Sequence, residues 1–265
     1  MRLLVLSDLH VEQAPFDAPQ VAADVVVLAG DIHNGEAAMH WARGAFPSLP
    51  IVQIAGNHEF YDGEYAQVLQ RMRDAARRLG IDFLENERTQ LGGVRFLGCT
   101  LWTDFRIFEA PGRALRLDAA AAMAANRRLL ADYFAISVDE DGARRRFDPL
   151  DAARLHAASR AWLERSLAEP FDGPTVVVTH HLPSWRCVHP DYAAWVTNAG
   201  YASELDELVT RADVWIHGHT HTSQRHAFGR ARLLCNARGY PRGGEPLQFE
   251  NPGFDPGCVL ELDPA

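Results

Sequence analysis

The sequence predicts an α/β fold, on two observations. Short runs rich in Val, Leu and Ile recur at Leu3–Leu6, Val25–Leu28, Ile51–Ile54, Val176–Val178 and Val214–Ile216. Continuous apolar runs of this length suit strands buried on both faces. Segments of helical period fit between them.

The elements come in order along the chain. After the first three runs, Tyr65, Val68, Leu69, Met72, Ala76 and Leu79 keep helical spacing, and Gly80 stands where a helix C-cap belongs. Gly92-Gly93 precedes Val94–Thr100, which suggests a hairpin or strand pair. Residues 104–147 are rich in Ala, Arg and Asp with weak strand signals. They read as a helical insertion at about 104–150, beside the mouth of any site. Asp148-Pro149 is an N-cap followed by Pro at the first helical position, and Leu155, Ala158, Trp162 and Leu163 then share one apolar face. Ser203 is expected to cap a helix carrying Leu205, Leu208 and Val209. Arg238 to Pro256 is rich in Gly and Pro and reads as a long surface loop before a last strand, Val259–Leu262. There are no internal repeats, and residues 1–265 are expected to form a single domain.

Composition narrows the function classes. The chain is 47% hydrophobic and 23% charged, ordinary values for a protein with a sizeable core. Its formal net charge is −9, and all its Lys+Arg residues are Arg. With no basic stripe, nucleic acid is a poor expectation, because affinity for its backbone comes largely from cationic groups that displace counterions. The four cysteines, Cys99, Cys187, Cys235 and Cys258, form no C-x-x-C pair and are expected to be reduced and buried. Leu3–Leu6 is too short for a signal-peptide core, and no apolar stretch approaches the ~18 residues of a membrane span. A cytoplasmic protein is expected.

The residues just after each apolar run carry the chemistry. The five runs lead to Asp8 and His10, to Gly30-Asp31, to Gly56-Asn57-His58-Glu59, to Thr179-His180-His181, and to His217-Gly218-His219-Thr220-His221. Functional sites of open α/β sheets form at the carboxyl ends of strands, so parallel neighbours would bring all five groups to one spot. The donors are imidazole nitrogens and carboxylate or amide oxygens, without thiolate. That mixture suits Mn, Fe or Zn. Seven donors exceed one tetrahedral zinc but fit two ions sharing a bridging carboxylate. Two ions about 3.5–4 Å apart can clamp an in-line displacement at phosphorus.

Asp8-Leu9-His10, Gly30-Asp31, Gly56-Asn57-His58-Glu59, His180 and Gly218-His219-Thr220-His221 together resemble the motif set of the calcineurin-like metallophosphoesterases. Their order and the gaps of roughly 25 residues between the first three motifs match that family. The resemblance implies a four-layer α/β/β/α sandwich of two central mixed sheets flanked by helices. It implies that Asp8, His10 and His221 bind one divalent ion, that Asn57, His180 and His219 bind a second, and that Asp31 bridges both. The ions would be Mn²⁺, Fe²⁺/Fe³⁺ or Zn²⁺, with a bridging hydroxide as nucleophile. His58 would give a hydrogen bond to the phosphate or a proton to the leaving group. Asp31, Asn57 and His58 would then be the catalytic residues. The implied activity is hydrolysis of a small-molecule phosphate ester, by a phosphodiesterase or phosphatase. The alternative is a non-catalytic metal-binding scaffold of the same fold.

Further residues have weaker claims. His181 competes with His180, which is preferred as the first residue after its strand. His217 and His33 read as loop or packing residues. Trp102, Trp185, Trp195 and Tyr201 are candidate pocket walls, although core or rim packing is the commoner role of such aromatics. Arg238 and Arg242 are candidate phosphate contacts with solvation as the default. Glu59 is expected at most to hold a neighbouring histidine.

Overall fold

In the computed structural model, which describes residues 1–262, all five apolar runs are strands. They belong to two sheets. The first runs Val259–Glu261, Arg2–Leu6, Val25–Ala29, Ile51–Ile54, Asp82–Phe83, parallel except for its antiparallel first member. The second runs Ser223–Phe228, Ala231–Asn236, Val214–His217, Thr175–Thr179, Val94–Cys99, Glu87–Leu91. Its four inner strands are parallel and its two edges antiparallel.

Side chains of a strand alternate between faces, and here both faces are buried. Leu3, Val5, Val25 and Val27 of the first sheet share one core with Val176, Val178, Val214 and Ile216 of the second. The intervening Leu4, Leu6, Val26, Leu28, Val177 and Trp215 belong to another core. That core also holds Met39 and Ala42 of the helix Ala37–Ala45, Val68 and Met72 of Tyr65–Leu79, and Ala152 and Leu163 of Pro149–Ala168. Sheet against sheet inside and helices outside make the four-layer α/β/β/α sandwich.

Caps obey local chemistry. Gly80 ends Tyr65–Leu79 with φ +64°, a conformation that costs glycine nothing. Asp148 caps Pro149–Ala168 in a reciprocal box with Asp151. Ser203 does not cap its helix: Asp206–Val209 starts later, and the Ser203 hydroxyl accepts the Asp104 backbone N–H instead. The segment around 104–150 holds the helices Ala119–Leu129 and Asp132–Ala135, together with a hairpin, Ser137–Glu140 with Ala143–Arg146, that its helical reading omitted. All four cysteines are free and buried. Among the described residues no helix is long and apolar enough to cross a membrane.

Candidate metal centre

The loops after the five strands meet at one end of the sandwich. Asp8, His10, Asp31, His219 and His221 all have positive φ, between 44° and 68°. Non-glycine residues avoid this region, and several held there together mark a place where the fold tolerates strain to aim side chains. Gly56 and Gly218 serve by absence rather than by flexibility. A Cβ on Gly56 would lie 2.1 Å from Asp31 Oδ1, and one on Gly218 would lie 2.0 Å from Ser7 Oγ. Only a missing side chain lets these loops approach.

Two clusters of acceptors result. In the first, His10 Nε2 and His221 Nε2 face each other at 3.2 Å, with Asp8 Oδ1 3.4 Å from the latter. The other ring nitrogens are engaged: His10 Nδ1 lies 3.2 Å from Glu12 Oε1, and His221 Nδ1 meets Glu250 Oε2. In the second, His180 Nε2 lies 3.0 Å from Asn57 Oδ1, 3.1 Å from His219 Nδ1 and 3.4 Å from Asp31 Oδ2. His180 Nδ1 lies 2.9 Å from the carbonyl of Ala29. Asp31 Oδ2 is also 3.8 Å from His10 Nε2, so one carboxylate oxygen stands between the clusters.

This donor set fits divalent ions on chemical grounds. Nδ1–H groups donated to Glu12, Glu250 and Ala29 leave the Nε2 lone pairs of His10, His221 and His180 pointing inward. The Asn57 NH₂ donates to Asp132 Oδ1 at 2.8 Å, which turns its carbonyl oxygen inward as well. Lone pairs that face one another in a buried site need positive charge between them. Without an ion, a proton takes the place of that charge. Burial disfavours the charged rings, yet Asp31 and Asp8 raise His180 to about 10, and Asp8 with Glu250 raises His221 to about 9. The groups Asp8–His10–His221 and Asp31–His180–His219 each bring their ligand atoms within 4.8 Å of one another.

The structure therefore brings together Asp8, His10, Asp31, Asn57, His180, His219 and His221, with His58 beside them. His181 points elsewhere: its Nδ1 lies 3.2 Å from the Thr100 carbonyl. The His217 Nδ1 turns back to Gly218 O, and the His33 Nδ1 accepts the N–H of Asn34. His58 stacks on Tyr61 with centroids 4.2 Å apart, and its backbone N–H donates to Asp31 Oδ1 at 2.9 Å. Its Nδ1 is 3.6 Å from Glu12 Oε1 and its Nε2 2.7 Å from the Tyr240 hydroxyl. Burial lowers the His58 pKa, but Asp31 and Glu12 outweigh burial and hold it above the ordinary histidine value.

Several functional neighbours escaped the sequence reading. Glu59 holds no histidine. Its carboxylate accepts the backbone N–H groups of Asp31, Ile32 and Gly56 at 2.7–2.9 Å, tying two ligand loops together. Asp132 orients Asn57 and accepts the Tyr61 hydroxyl at 2.7 Å. The Gly/Pro-rich tail is more than a surface loop, for it supplies Tyr240 and Glu250. Arg238 is neither solvated nor a phosphate contact: it is 4% exposed and donates to the carbonyls of Leu9, Ala14 and Pro15. Trp102 and Trp185 lie outside the cavity above the centre, whereas Trp195, Tyr201 and Arg242 line it.

The comparisons agree with this architecture. An uncharacterized protein of Acanthamoeba polyphaga mimivirus is 21% identical over 296 aligned positions, covering 99% of this chain and 98% of that protein. The crystal structure of a phosphopantetheinyl hydrolase from Mycobacterium tuberculosis superposes with a TM-score of 0.65 at 19% identity, covering 96% of this chain and 98% of that one. The sequence profile of the calcineurin-like phosphoesterases, metal-dependent hydrolases of phosphate esters, matches residues 1–223. With motifs, fold and converging donors in agreement, the chain belongs to the calcineurin-like phosphoesterase family.

Proposed function

We propose that the protein hydrolyses a small-molecule phosphate ester at a centre of two divalent ions. One observation carries this reading: two clusters of inward-facing acceptors share the single carboxylate of Asp31. Asp8, His10, Asp31 and His221 would hold one ion, and Asp31, Asn57, His180 and His219 the other. When bound, such a pair supplies an activated water and a clamp for the phosphoryl oxygens.

The chain's own residues do the rest. Asp31 sets the separation of the two positions. Asp132 keeps the Asn57 oxygen turned inward, so the amide ligates without adding charge. His58, beside Asp31, would give a hydrogen bond to the bound phosphate or a proton to the leaving oxygen. Tyr240, hydrogen-bonded to the Nε2 of that ring, lines the cavity and links His58 to it. The net charge of −9 and the acidic Glu250 at the rim favour a small ester over a nucleic acid.

The test is metal titration followed by a panel of phosphate monoesters and diesters. The panel includes a phosphopantetheinyl ester, after the name of the mycobacterial hydrolase. Two equivalents of Mn²⁺ per chain and turnover of at least one ester are expected. Asp31→Asn should weaken both ion positions, and His58→Ala should keep both ions while losing about 10²–10⁴-fold in turnover. Two bound equivalents with no ester hydrolysed would favour the scaffold alternative.

A further inference from the structure

The cavity above the centre has a volume of about 470 Å³, within the range of small-molecule sites. Its floor is formed by Asp31, Asn57, His219 and His221, which a bound phosphate would cover. The flank is different. Leu129, Leu182, Val188, Tyr192, Trp195 and Tyr201 make one apolar wall of it. Six large apolar side chains stand exposed among the described residues, and Leu129, Tyr192 and Trp195 gather at this one opening, 59%, 40% and 57% exposed. Exposed apolar groups clustered at a cleft mark a binding surface, whereas scattered ones carry no meaning.

The wall is built, not incidental. It joins two segments far apart in sequence, the helix Ala119–Leu129 and the turns of residues 185–200. The Asn126 NH₂ spans them, donating to Ala122 O at 2.9 Å and to Val196 O at 3.1 Å. The Asn198 NH₂ donates to Tyr192 O at 2.7 Å and braces the turn that carries Tyr192 and Trp195, whose rings lie 4.6 Å apart. A Cβ on Gly200 would meet Leu130 Cδ1 at 2.4 Å, so the segments are in close contact there. A preformed apolar surface beside a phosphate site lowers the ordering cost of an apolar ligand.

We infer that this wall is the subsite for the organic part of the substrate, and that the substrate is a phosphate ester of an apolar, flat group. The inference rests on the phosphoesterase reading for its phosphate end. Its binding test does not depend on turnover. Calorimetry with the metal-loaded protein compares 1-naphthylphosphonate with methylphosphonate, two stable probes that share the phosphonate end. The naphthyl probe is expected to bind at least tenfold more tightly. Trp195→Ala and Leu129→Ala, on separate segments and both exposed, should each cut that naphthyl-to-methyl ratio roughly threefold to tenfold. Equal affinity for the two probes, or a ratio unmoved in both variants, would overturn the subsite. Hydrolysis of esters by the same protein is scored separately, so a wall without hydrolysis and hydrolysis without a wall give different results.

Discussion

Asn57 shows how much a single side chain depends on one neighbour. An amide can turn either its oxygen or its NH₂ inward, and only the oxygen can ligate a cation. The Asp132 carboxylate decides the matter by accepting the NH₂ at 2.8 Å, and Tyr61 donates its hydroxyl to the same Asp132 oxygen and accepts from the same NH₂ at 3.1 Å. Asp132→Ala is therefore expected to weaken ion binding at the Asn57–His180–His219 position by about 10–100-fold, the usual cost of losing a partner of this kind. The Asp8–His10–His221 position should be spared. Metal titration of the variant, resolved into two binding steps, checks this, and equal weakening of both positions would count against the role. Glu12 and Glu250 orient His10 and His221 by the same logic.

At the scale of elements, glycines do two kinds of work. Gly80 closes the helix Tyr65–Leu79 at φ +64°, and a Cβ there would meet nothing within 4 Å, so only its conformation matters. Gly80→Ala should cost about 1 kcal/mol in urea unfolding and leave metal content intact. Gly56 has an ordinary backbone but no room, with Asp31 Oδ1 2.1 Å from its absent Cβ. Gly56→Ala should cost about 1–3 kcal/mol of stability, as overpacking does, and displace Asp31 so that metal affinity falls as well. Urea unfolding and metal titration of the two variants separate the cases. The strand runs and the Gly80 cap were readable from sequence, because spacing and turn chemistry are local, whereas the crowding at Gly56 comes from distant Asp31 and was not. The strands Ser223–Phe228 and Ala231–Asn236 were not, since an alternating, half-exposed edge and a short mixed run lack the continuous apolar signal.

For the whole molecule, buried neutral histidines make stability depend on pH. His156 lies in the helix Pro149–Ala168, 2% exposed, with its Nδ1 3.3 Å from Trp102 O, and burial lowers its pKa despite Asp104. Burial likewise takes His181 to about 3 and His217 to about 4. The unfolded chain takes up protons near pH ~6.5 that these rings refuse in the fold, so their contribution to stability is full above that pH and is lost as pH falls below it; Glu59, raised by burial to about 7, contributes in the opposite direction over the same range. Each such ring contributes a slope of at most about 1.4 kcal/mol per pH unit. Denaturation of chelated protein between pH 7 and pH 5 isolates the ring's share: relative to the wild type, His156→Gln should lose less stability as pH falls. An unchanged slope would mean that His156 charges within the fold.

The sequence by itself determined the α/β class, five strand ends bearing donors, and the seven donors that the fold brings together. Each of those comes from patterns a few residues long. Only the tertiary structure decided which atoms face inward, because the partners that turn them come from afar: Tyr240 reaches His58 across 182 residues, Asp132 reaches Asn57 across 75, and Glu250 reaches His221 across 29. It also sends the rings of His180 and His181, neighbours in sequence, toward different carbonyls, with the Nε2 of His180 meeting Asn57 and His219. Local chemistry names the candidate ligands, and packing between distant segments aims them.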